Sequence, residues 1–370
     1  MTIWTFVALV LGIVGLVAGA ELLVRGAASI ATRFGIAPVI VGLTVVAFGT
    51  SAPELAVSVS AAFSGTSDMA FGNVVGSNTA NILFILGTSA VIGGLAVSQR
   101  IIRIDIPLML LVSVVVLLLG LNNKVGRLEG IVLFAGIVVY TVWLINGARK
   151  ESKEVLGEYE ESIDELEVEI IEKPIWILLG LVVAGLTILV VGSQLLVNSA
   201  SDIAESFGVS DLVIGLTVVA VGTSLPELAT SVMAAFRGQR DIAVGNVVGS
   251  NLFNILSVLG LSSIVSPNGI SVTDEALRFD IPVMIVTAFV LIPICWNGFM
   301  IKRWEGIIMV SFYAAYVTYL VLEANESSSV DFMQAAATFV IPLVLITVCV
   351  TGYQGWRRHR ANLFLDGKSI

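Results

Sequence analysis

Two stretches of the chain decide its fold, because nearly the same sequence occurs twice. Residues 42–63 read GLTVVAFGTSAPELAVSVSAAF, and residues 215–236 read GLTVVAVGTSLPELATSVMAAF. The two stretches are identical at 18 of 22 positions, at a constant offset of 173 residues. Identity over such a length at a fixed offset indicates an internal repeat, which sets the architecture before any single motif is interpreted.

The repeat extends over most of each half of the chain. The heptapeptide GNVVGSN occurs at residues 72–78 and again at 245–251, at the same offset of 173. The tripeptide Asp-Ile-Pro at 105–107 matches 280–282 at an offset of 175. We therefore expect two copies of one structural unit. The copies cover about residues 1–147 and 175–322.

The composition places the chain in a membrane. Of its 370 residues, 57% are hydrophobic and 13% are charged, and the mean hydropathy is +0.99. Globular proteins carry about 25% charged and about 45–50% apolar residues. The excess excludes most water-soluble enzymes and nucleic-acid binders. One histidine (His359) and two cysteines in apolar runs (Cys295 and Cys349) also argue against a zinc cluster or a disulfide framework.

Eleven stretches are long and apolar enough to cross a bilayer core, which takes about 20 residues of helix. They lie near residues 4–26, 37–63, 70–95, 106–122, 128–147, 175–199, 210–236, 242–265, 281–299, 304–322 and 332–353. With the N-terminus outside, 16 of the 19 Lys and Arg residues fall on the cytoplasmic side, and only Lys124, Arg127 and Arg278 fall outside. Because cytoplasmic loops attract Lys and Arg, we expect the N-terminus outside and the C-terminus inside. The sequence thus predicts an all-α, multi-pass protein of the cell membrane.

Each copy of the repeat contains five spans, an odd number, so the second copy enters the membrane from the opposite side. Inverted repeats of this kind are typical of secondary transporters, whose site lies near the midplane where the copies meet. The expected fold is a ten-helix inverted repeat (5+5) with one additional C-terminal transmembrane helix. Its parts are a first five-helix repeat at 1–148, an acidic cytoplasmic linker at 149–174, a second repeat at 175–322, and the extra helix with a basic tail at 323–370.

Charged residues at the cytoplasmic surface have simple interpretations. Ten Asp and Glu but only two Lys lie between Glu151 and Lys173, and a solvated hinge explains them better than a regulatory site does. Glu21 lies four residues before Arg25 near the inner end of the first span, and Gln194 stands at the equivalent position of the second copy. We interpret Glu21 as a paired or snorkelling interfacial charge rather than as part of the site.

Glu54 and Glu227 lie near the middle of their predicted spans, where a carboxylate costs at least a few kcal/mol. No Lys, Arg or His lies at matching depth in any span, so an internal salt bridge does not explain them. Protons or metal cations remain as the partners of these carboxylates.

The neighbouring residues favour a metal cation. Pro53 frees the carbonyl of Gly49 four residues back, and Pro226 does the same for Gly222. Helical spacing brings hydroxyls around each glutamate, and the following helices add amides at steps of four residues. The candidate residues are Thr50, Ser51 and Ser58, Thr223, Ser224 and Ser231, Asn73, Ser77 and Asn81, and Asn246, Ser250 and Asn254. Every candidate ligand is an oxygen, which suits calcium and sodium better than magnesium or soft metals.

The GTSAPE and GTSLPE segments, together with the two GNVVGSN segments, resemble the repeats of the sodium/calcium exchangers, members of the cation/calcium antiporter superfamily. The resemblance covers about residues 1–322. It implies a secondary active antiporter that exchanges sodium for calcium by alternating access, with a ten-helix core. It also implies that the first and sixth helices move against the rest. Glycines would let them slide: Gly12, Gly15, Gly19, Gly180, Gly185 and Gly192.

The resemblance also implies roles for the site residues. Glu54 and Glu227 would be the central calcium ligands, and Thr50 and Thr223 would contribute carbonyl oxygens. Sodium would be held by Ser51, Ser77, Ser224 and Ser250 and by the carbonyls of Ala47 and Ala220. Asn81 and Asn254 would complete the centre. Some members carry Asp where Asn254 stands, so this chain has two central carboxylates instead of three.

Two other functions stay open at this point. A proton/calcium exchanger of the same superfamily usually carries Gly-Asn-Ala before the glutamate, whereas this chain has Gly-Thr-Ser-x-Pro. A cation channel would use similar oxygen ligands without exchange. We expect no enzyme activity, no resident cofactor and no nucleic-acid partner. The expected partners are the transported calcium and sodium ions and the lipid bilayer, and a monomer should suffice for transport.

Overall fold

The computed structural model describes residues 3–159, 174–207, 220–296 and 298–324. Its first half is built from eight α-helices and contains three π-helical turns. The helices are α1 (Ile3–Phe34), α2 (Pro38–Val41), α3 (Ala47–Thr50), α4 (Ala52–Ser64), α5 (Ser67–Ala80), α6 (Gly87–Gly93), α7 (Ile106–Gly120) and α8 (Arg127–Tyr159). The π turns are Gly42–Val46 between α2 and α3, Asn81–Leu86 between α5 and α6, and Ile101–Asp105 before α7.

The second half follows the same plan. Its helices are α9 (Ile175–Ser206), α10 (Ala220–Gly222), α11 (Leu225–Phe236), α12 (Arg240–Phe253), α13 (Gly260–Val265), α14 (Ile281–Trp296) and α15 (Arg303–Ala324). The π turns are Asn254–Leu259 between α12 and α13 and Ala276–Asp280 before α14. Each of these turns lies where the repeat places its counterpart in the first half.

Within the described residues, eight helices are long and apolar enough to cross a membrane. The bent pair Pro38–Thr50 and Ala52–Ser64, which turns by 45°, makes a ninth span. These nine match nine of the eleven predicted stretches. Of the other two, 210–236 is described only from residue 220, and 332–353 lies outside the described residues. The mainly helical, multi-span architecture predicted from the sequence is therefore confirmed.

The first part of the predicted acidic linker is helical. The sequence predicts a linker from residue 149, and α8 continues as a helix to Tyr159. The rest of the predicted linker, up to residue 173, lies outside the described residues. Favourable helix propensity of the Lys and Glu residues in this segment accounts for the continuation.

Four two-residue strands, absent from the sequence-based expectation, tie the two halves together. β1 (Leu95–Ala96) pairs antiparallel with β4 (Met300–Ile301), and β2 (Lys124–Val125) pairs antiparallel with β3 (Ile270–Ser271). β1 and β2 precede and follow α7, whereas β3 and β4 precede and follow α14. The start of α7 therefore lies beside the end of α14, and the two equivalent helices run in opposite directions.

The long helices α1 and α9 pack closely because glycines line their contact. A Cβ atom on Gly19 would lie 2.7 Å from the backbone nitrogen of Leu189, and one on Gly185 would lie 2.7 Å from that of Leu23. Gly12, Gly15 and Gly192 make similar approaches between the two helices. The glycines thus pack α1 against α9 rather than against the other helices. Gly180 does not take part, since no described atom lies within 4 Å of its Cβ position.

Glu21, in the second half of α1, has two arginine partners. It forms an ion pair with Arg25, as the spacing predicts, and a second one with Arg237, which follows α11 in the other half of the chain. The interpretation of Glu21 as a paired surface charge is confirmed. The sequence pattern did not reveal Arg237 because its distance from Glu21 along the chain is 216 residues.

Candidate ion-binding site

Two helix breaks lie at the centre of the structure. The first separates α3 from α4 at Ser51, and the second separates α10 from α11 at residues 223–224. Pro53 and Pro226 occupy the first turn of α4 and α11, a position where a backbone N–H has no acceptor within its own helix. Ser51 (φ −82°, ψ 9°) and Ser224 (φ −88°, ψ 8°) hold the same non-helical conformation. The repeated sequence therefore produces the same break twice.

Each break delivers a glutamate to the protein interior. Glu54 lies in the first turn of α4 and Glu227 in the first turn of α11. Their side chains are 1% and 0% exposed, and neither forms an ion pair with any residue that the structure describes. The positive ends of the two helix dipoles favour the ionised carboxylates only in part. A buried pair of this kind requires protons or cations as its partners.

The serines at the breaks bond to the glutamates of the opposite half. Ser224 Oγ donates to Glu54 Oε1 at 3.0 Å, and Ser51 Oγ donates to Glu227 Oε1 at 2.9 Å. Helical spacing places each serine near the glutamate three residues after it, but its hydrogen bond goes to the glutamate of the other half. Ser51 and Ser224 lie in the breaks rather than in a helix, so their hydroxyls point across the site.

Asn73 and Asn246 hold the broken helices in place. Asn73 Nδ2 donates to Ser58 Oγ at 2.9 Å and to the backbone oxygen of Glu54 at 3.4 Å. Asn246 Nδ2 makes the same two bonds, at 2.9 and 3.4 Å, to Ser231 Oγ and to the backbone oxygen of Glu227. The amide oxygen of Asn246 accepts a hydrogen bond from Thr50 Oγ1 at 3.1 Å. Asn73 and Asn246, both proposed from the sequence as ligands, thus bond mainly to the protein itself.

Six buried oxygens among the sequence-predicted residues make no hydrogen bond within the described part of the chain. They are Glu54 Oε2, Glu227 Oε2, Asn81 Oδ1, Asn254 Oδ1, Thr223 Oγ1 and Ser250 Oγ. Buried polar atoms in proteins are nearly always bonded, so a group of unbonded ones requires an explanation. The carboxylate and amide atoms are acceptors only, and they come from both halves of the chain. This donor set suits a hard cation such as calcium or sodium.

Two further predicted residues, Ser77 and Ala47, have protein partners. Ser77 Oγ donates to the backbone oxygen of Asn73 at 2.6 Å and accepts from Asn254 Nδ2 at 3.1 Å. The carbonyl of Ala47 accepts the backbone N–H of Ser51 at 3.0 Å and the hydroxyl of Thr50 at 3.4 Å. Ala220 is the first residue of α10, two residues before its end at Gly222.

One backbone oxygen predicted to be free is already bonded. Pro226 leaves the carbonyl of Gly222 without its helical donor, but Ser193 Oγ on α9 donates to this carbonyl at 2.7 Å. The carbonyl therefore links the break to α9. Ser193 was missed because its repeat equivalent is Ala20, so the duplication gave no signal at this position.

Asn78 and Asn251, the last residues of the two repeated heptapeptides, were also missed as site residues. Asn78 Oδ1 accepts from Asn254 Nδ2 at 3.2 Å, and Asn251 Oδ1 accepts from Asn81 Nδ2 at 3.0 Å. Both are 1% exposed. Their position in GNVVGSN was the available signal, but they lie one residue away from the four-residue pattern of Asn73, Ser77 and Asn81.

Comparison with known families gives a match over both copies of the repeat. The family model described as sodium/calcium exchanger protein matches residues 4–146 and 177–322. The two segments lie inside the two copies identified from the sequence.

Individual relatives are similar over most of their length. The chain is 39% identical to the putative antiporter CaxA of Alkalimonas amylolytica, over 82% of this chain and 95% of that protein. It is 34% identical to the sodium/calcium exchanger MaX1 of Methanosarcina acetivorans, over 85% of this chain and 98% of the relative. Among solved structures, the sodium-calcium exchanger NCX_Mj superposes with a TM-score of 0.73 at 30% identity, covering 86% of this chain and 99% of that one.

Proposed function

We propose the following function on the basis that this chain belongs to the sodium/calcium exchanger protein family. The chain exchanges sodium for calcium across the membrane. Family membership makes the chain a multi-pass membrane antiporter for cations, a transporter and not an enzyme. The proposal includes three further points: sodium is the counter-ion, the two repeats are inverted, and the individual site residues have the roles given below.

The observation that carries the proposal is the pair of buried glutamates with unbonded oxygens. Glu54 and Glu227 each keep one carboxylate oxygen bonded to a serine of the opposite half and one without a donor among the described residues. Both ionised, they give the site a charge of −2. One calcium ion neutralises this charge, and several sodium ions do so as well. Asn81 and Asn254 supply neutral oxygens that complete the coordination.

The same charge explains obligatory exchange. Two carboxylates in a low-dielectric interior are strongly destabilised when no cation compensates them. An empty site therefore has a high barrier to reorientation, whereas the calcium-loaded and sodium-loaded sites cross it. Only the return of a loaded site completes the cycle, so calcium leaves one side only when sodium or another calcium ion replaces it.

The arrangement of the two halves supports alternating access. The equivalent helices α7 and α14 run in opposite directions, as expected for inverted repeats with the N-terminus outside and the C-terminus inside. We propose that α1 and α9, packed through their glycines, move as one unit over the breaks. All candidate ligands come from one chain, so a monomer suffices.

The experiment that tests this function is calcium uptake into sealed proteoliposomes containing the purified chain. With sodium inside and calcium outside, uptake should follow the outward sodium gradient and stop when choline replaces sodium. Uptake driven by a pH step alone would identify a proton/calcium exchanger. Uptake with no counter-ion gradient and no dependence on internal sodium would identify a channel. Either of the last two results overturns the proposal.

A further inference from the structure

We propose that Asn78 and Asn251 are positioning residues, which turn the amides of Asn254 and Asn81 so that oxygen rather than nitrogen faces the transported ion. This inference rests on the proposed function, since it concerns how that site obtains its neutral ligands. It assigns a role to two residues that contribute no unbonded oxygen themselves.

The orientation of Asn78 and Asn251 is fixed by backbone carbonyls. Asn78 Nδ2 lies 3.3 Å from the backbone oxygen of Asn251, and Asn251 Nδ2 lies 3.4 Å from the backbone oxygen of Asn78. A carbonyl oxygen only accepts hydrogen bonds, so the amide nitrogen of each residue has to face it. The two asparagines thus hold each other across the contact between α5 and α12.

The sulfur atoms of two methionines strengthen this assignment. Asn78 Nδ2 also approaches Met284 Sδ at 3.7 Å, and Asn251 Nδ2 approaches Met109 Sδ at 3.3 Å. A thioether sulfur is a weak acceptor and has no proton to donate. Both hydrogens of each amide nitrogen therefore have acceptors, and the amide oxygens have to face the other way.

Those oxygens in turn fix the second pair of asparagines. Asn78 Oδ1 accepts from Asn254 Nδ2 at 3.2 Å, and Asn251 Oδ1 accepts from Asn81 Nδ2 at 3.0 Å. Asn254 Nδ2 has a second acceptor in Ser77 Oγ at 3.1 Å, because the proton of Ser77 goes to a backbone carbonyl. Flipping either amide would place two acceptors against each other.

The consequence is that Asn81 and Asn254 present only their oxygens. Both Oδ1 atoms are buried and accept no hydrogen bond from the described residues. A free asparagine amide turns over easily and would offer its NH₂ group, which repels a cation. One series of hydrogen bonds runs from a backbone carbonyl through Asn78 to Asn254, and the other runs through Asn251 to Asn81. These bonds prevent the amides from turning over. Because each chain of bonds crosses between the halves, correct ligands require both halves to be packed together.

The test replaces Asn78 by leucine, which keeps the volume and removes the acceptor for Asn254. Asn78→Leu should raise the apparent KM for calcium about tenfold, because one oriented ligand is worth on the order of one net hydrogen bond. The transport rate at saturating calcium should stay near that of the unmodified protein. The matched control is Thr79→Val, since the hydroxyl of buried Thr79 donates to the carbonyl of Val75 in its own helix. This control should leave the KM unchanged.

A double-mutant cycle separates positioning from a general structural effect. If Asn78 acts through Asn254, then Asn78→Leu should change nothing further in an Asn254→Ala background. If the two substitutions instead multiply their separate effects on the apparent KM for calcium, the proposal is overturned. If the leucine variant does not fold, Asn78→Ser replaces it, because the shorter serine side chain no longer reaches Asn254. This variant should also change nothing further in the Asn254→Ala background.

A binding readout keeps this inference distinct from the proposed function. Calcium alone should raise the melting temperature of the purified, detergent-solubilised protein, and Asn78→Leu should shift this effect to about tenfold higher calcium. If that shift occurs while sodium-driven uptake is absent, the exchange function fails and the positioning role stands. If calcium stabilises both proteins at the same concentration, or stabilises neither, the positioning role is wrong.

Discussion

Ser51 donates a hydrogen bond to Glu227, a residue of the opposite half of the chain, at 2.9 Å. The reciprocal bond from Ser224 to Glu54, at 3.0 Å, completes a crossed pair at the centre of the molecule. Each helix break therefore supplies a glutamate to its own helix and a hydroxyl donor to the other. The candidate ion site therefore lies where the two copies meet, and its hydrogen bonds join one copy to the other.

Removing one of these hydroxyls should weaken calcium transport. Ser51→Ala removes the hydrogen-bond donor of Oε1 of buried Glu227, and loss of a hydrogen bond to a charged group costs about 1.5–3 kcal/mol. We expect a fall in calcium transport efficiency of roughly ten- to one-hundredfold, measured as the initial rate of uptake over a calcium series. Ser224→Ala should reduce transport efficiency by a similar factor, because it removes the hydrogen bond to Glu54.

The control for this prediction is Ser113→Ala. Ser113 is also buried, but its hydroxyl bonds to the carbonyl of Met109 in the same helix. An equal loss of transport in Ser113→Ala would mean that the crossed hydrogen bonds have no special role.

Neutralising either glutamate should abolish exchange. Glu54→Gln and Glu227→Gln keep the shape of the side chain but halve the negative charge of the site, so one calcium ion is no longer balanced. Sodium-dependent calcium uptake into proteoliposomes should fall to the level of protein-free vesicles. Full activity in either variant would show that the two carboxylates are not both calcium ligands.

A methyl group at the contact of α1 and α9 should force the two helices apart. A Cβ on Gly19 would lie 2.7 Å from the backbone nitrogen of Leu189 and 2.8 Å from the carbonyl oxygen of Gly185. Gly19→Ala should lower both the melting temperature of the purified protein and its transport rate. Gly180→Ala is the matched control, because its Cβ position has no described neighbour within 4 Å and alanine favours helix by up to about 1 kcal/mol. If the two variants melt alike, the close packing of α1 and α9 is not important.

The hydrogen bond from Ser193 to the carbonyl of Gly222 should stabilise the second break. Ser193→Ala leaves this buried carbonyl unbonded, which costs about 1–3 kcal/mol. We expect a lower melting temperature than for Thr187→Val on the same helix, because the exposed hydroxyl of Thr187 donates to the carbonyl of Val183 within that helix. Equal melting temperatures would indicate that the Gly222 carbonyl finds another donor.

The sequence predicted the helices and the two glutamates because their signals are local. Apolar windows set the spans, the Gly-Thr-Ser-x-Pro segments set the breaks, and a carboxylate in the middle of a span is costly enough to mark a site. Asn81 and Asn254 were found for the same reason, since they continue a regular four-residue pattern. These features need no knowledge of which helix packs against which.

The partners of the site residues could not be predicted in this way. Ser51 was assigned to Glu54 by spacing, but its bond to Glu227 joins residues 176 positions apart. Ser193 has no repeated counterpart, and two-residue strands leave no periodicity to detect. All three features depend on how the two halves of the chain pack together. The repeat in the sequence implies that the halves meet, but it does not specify their contacts in atomic detail.

The need for a cation in the site is tested most directly by calcium efflux from loaded proteoliposomes. Vesicles filled with radioactive calcium are diluted into media containing choline, sodium or non-radioactive calcium. The account predicts retention in choline and rapid release in sodium or calcium, because only an occupied site returns. Release into choline as fast as into sodium would show that the doubly negative empty site reorients freely, which contradicts the account.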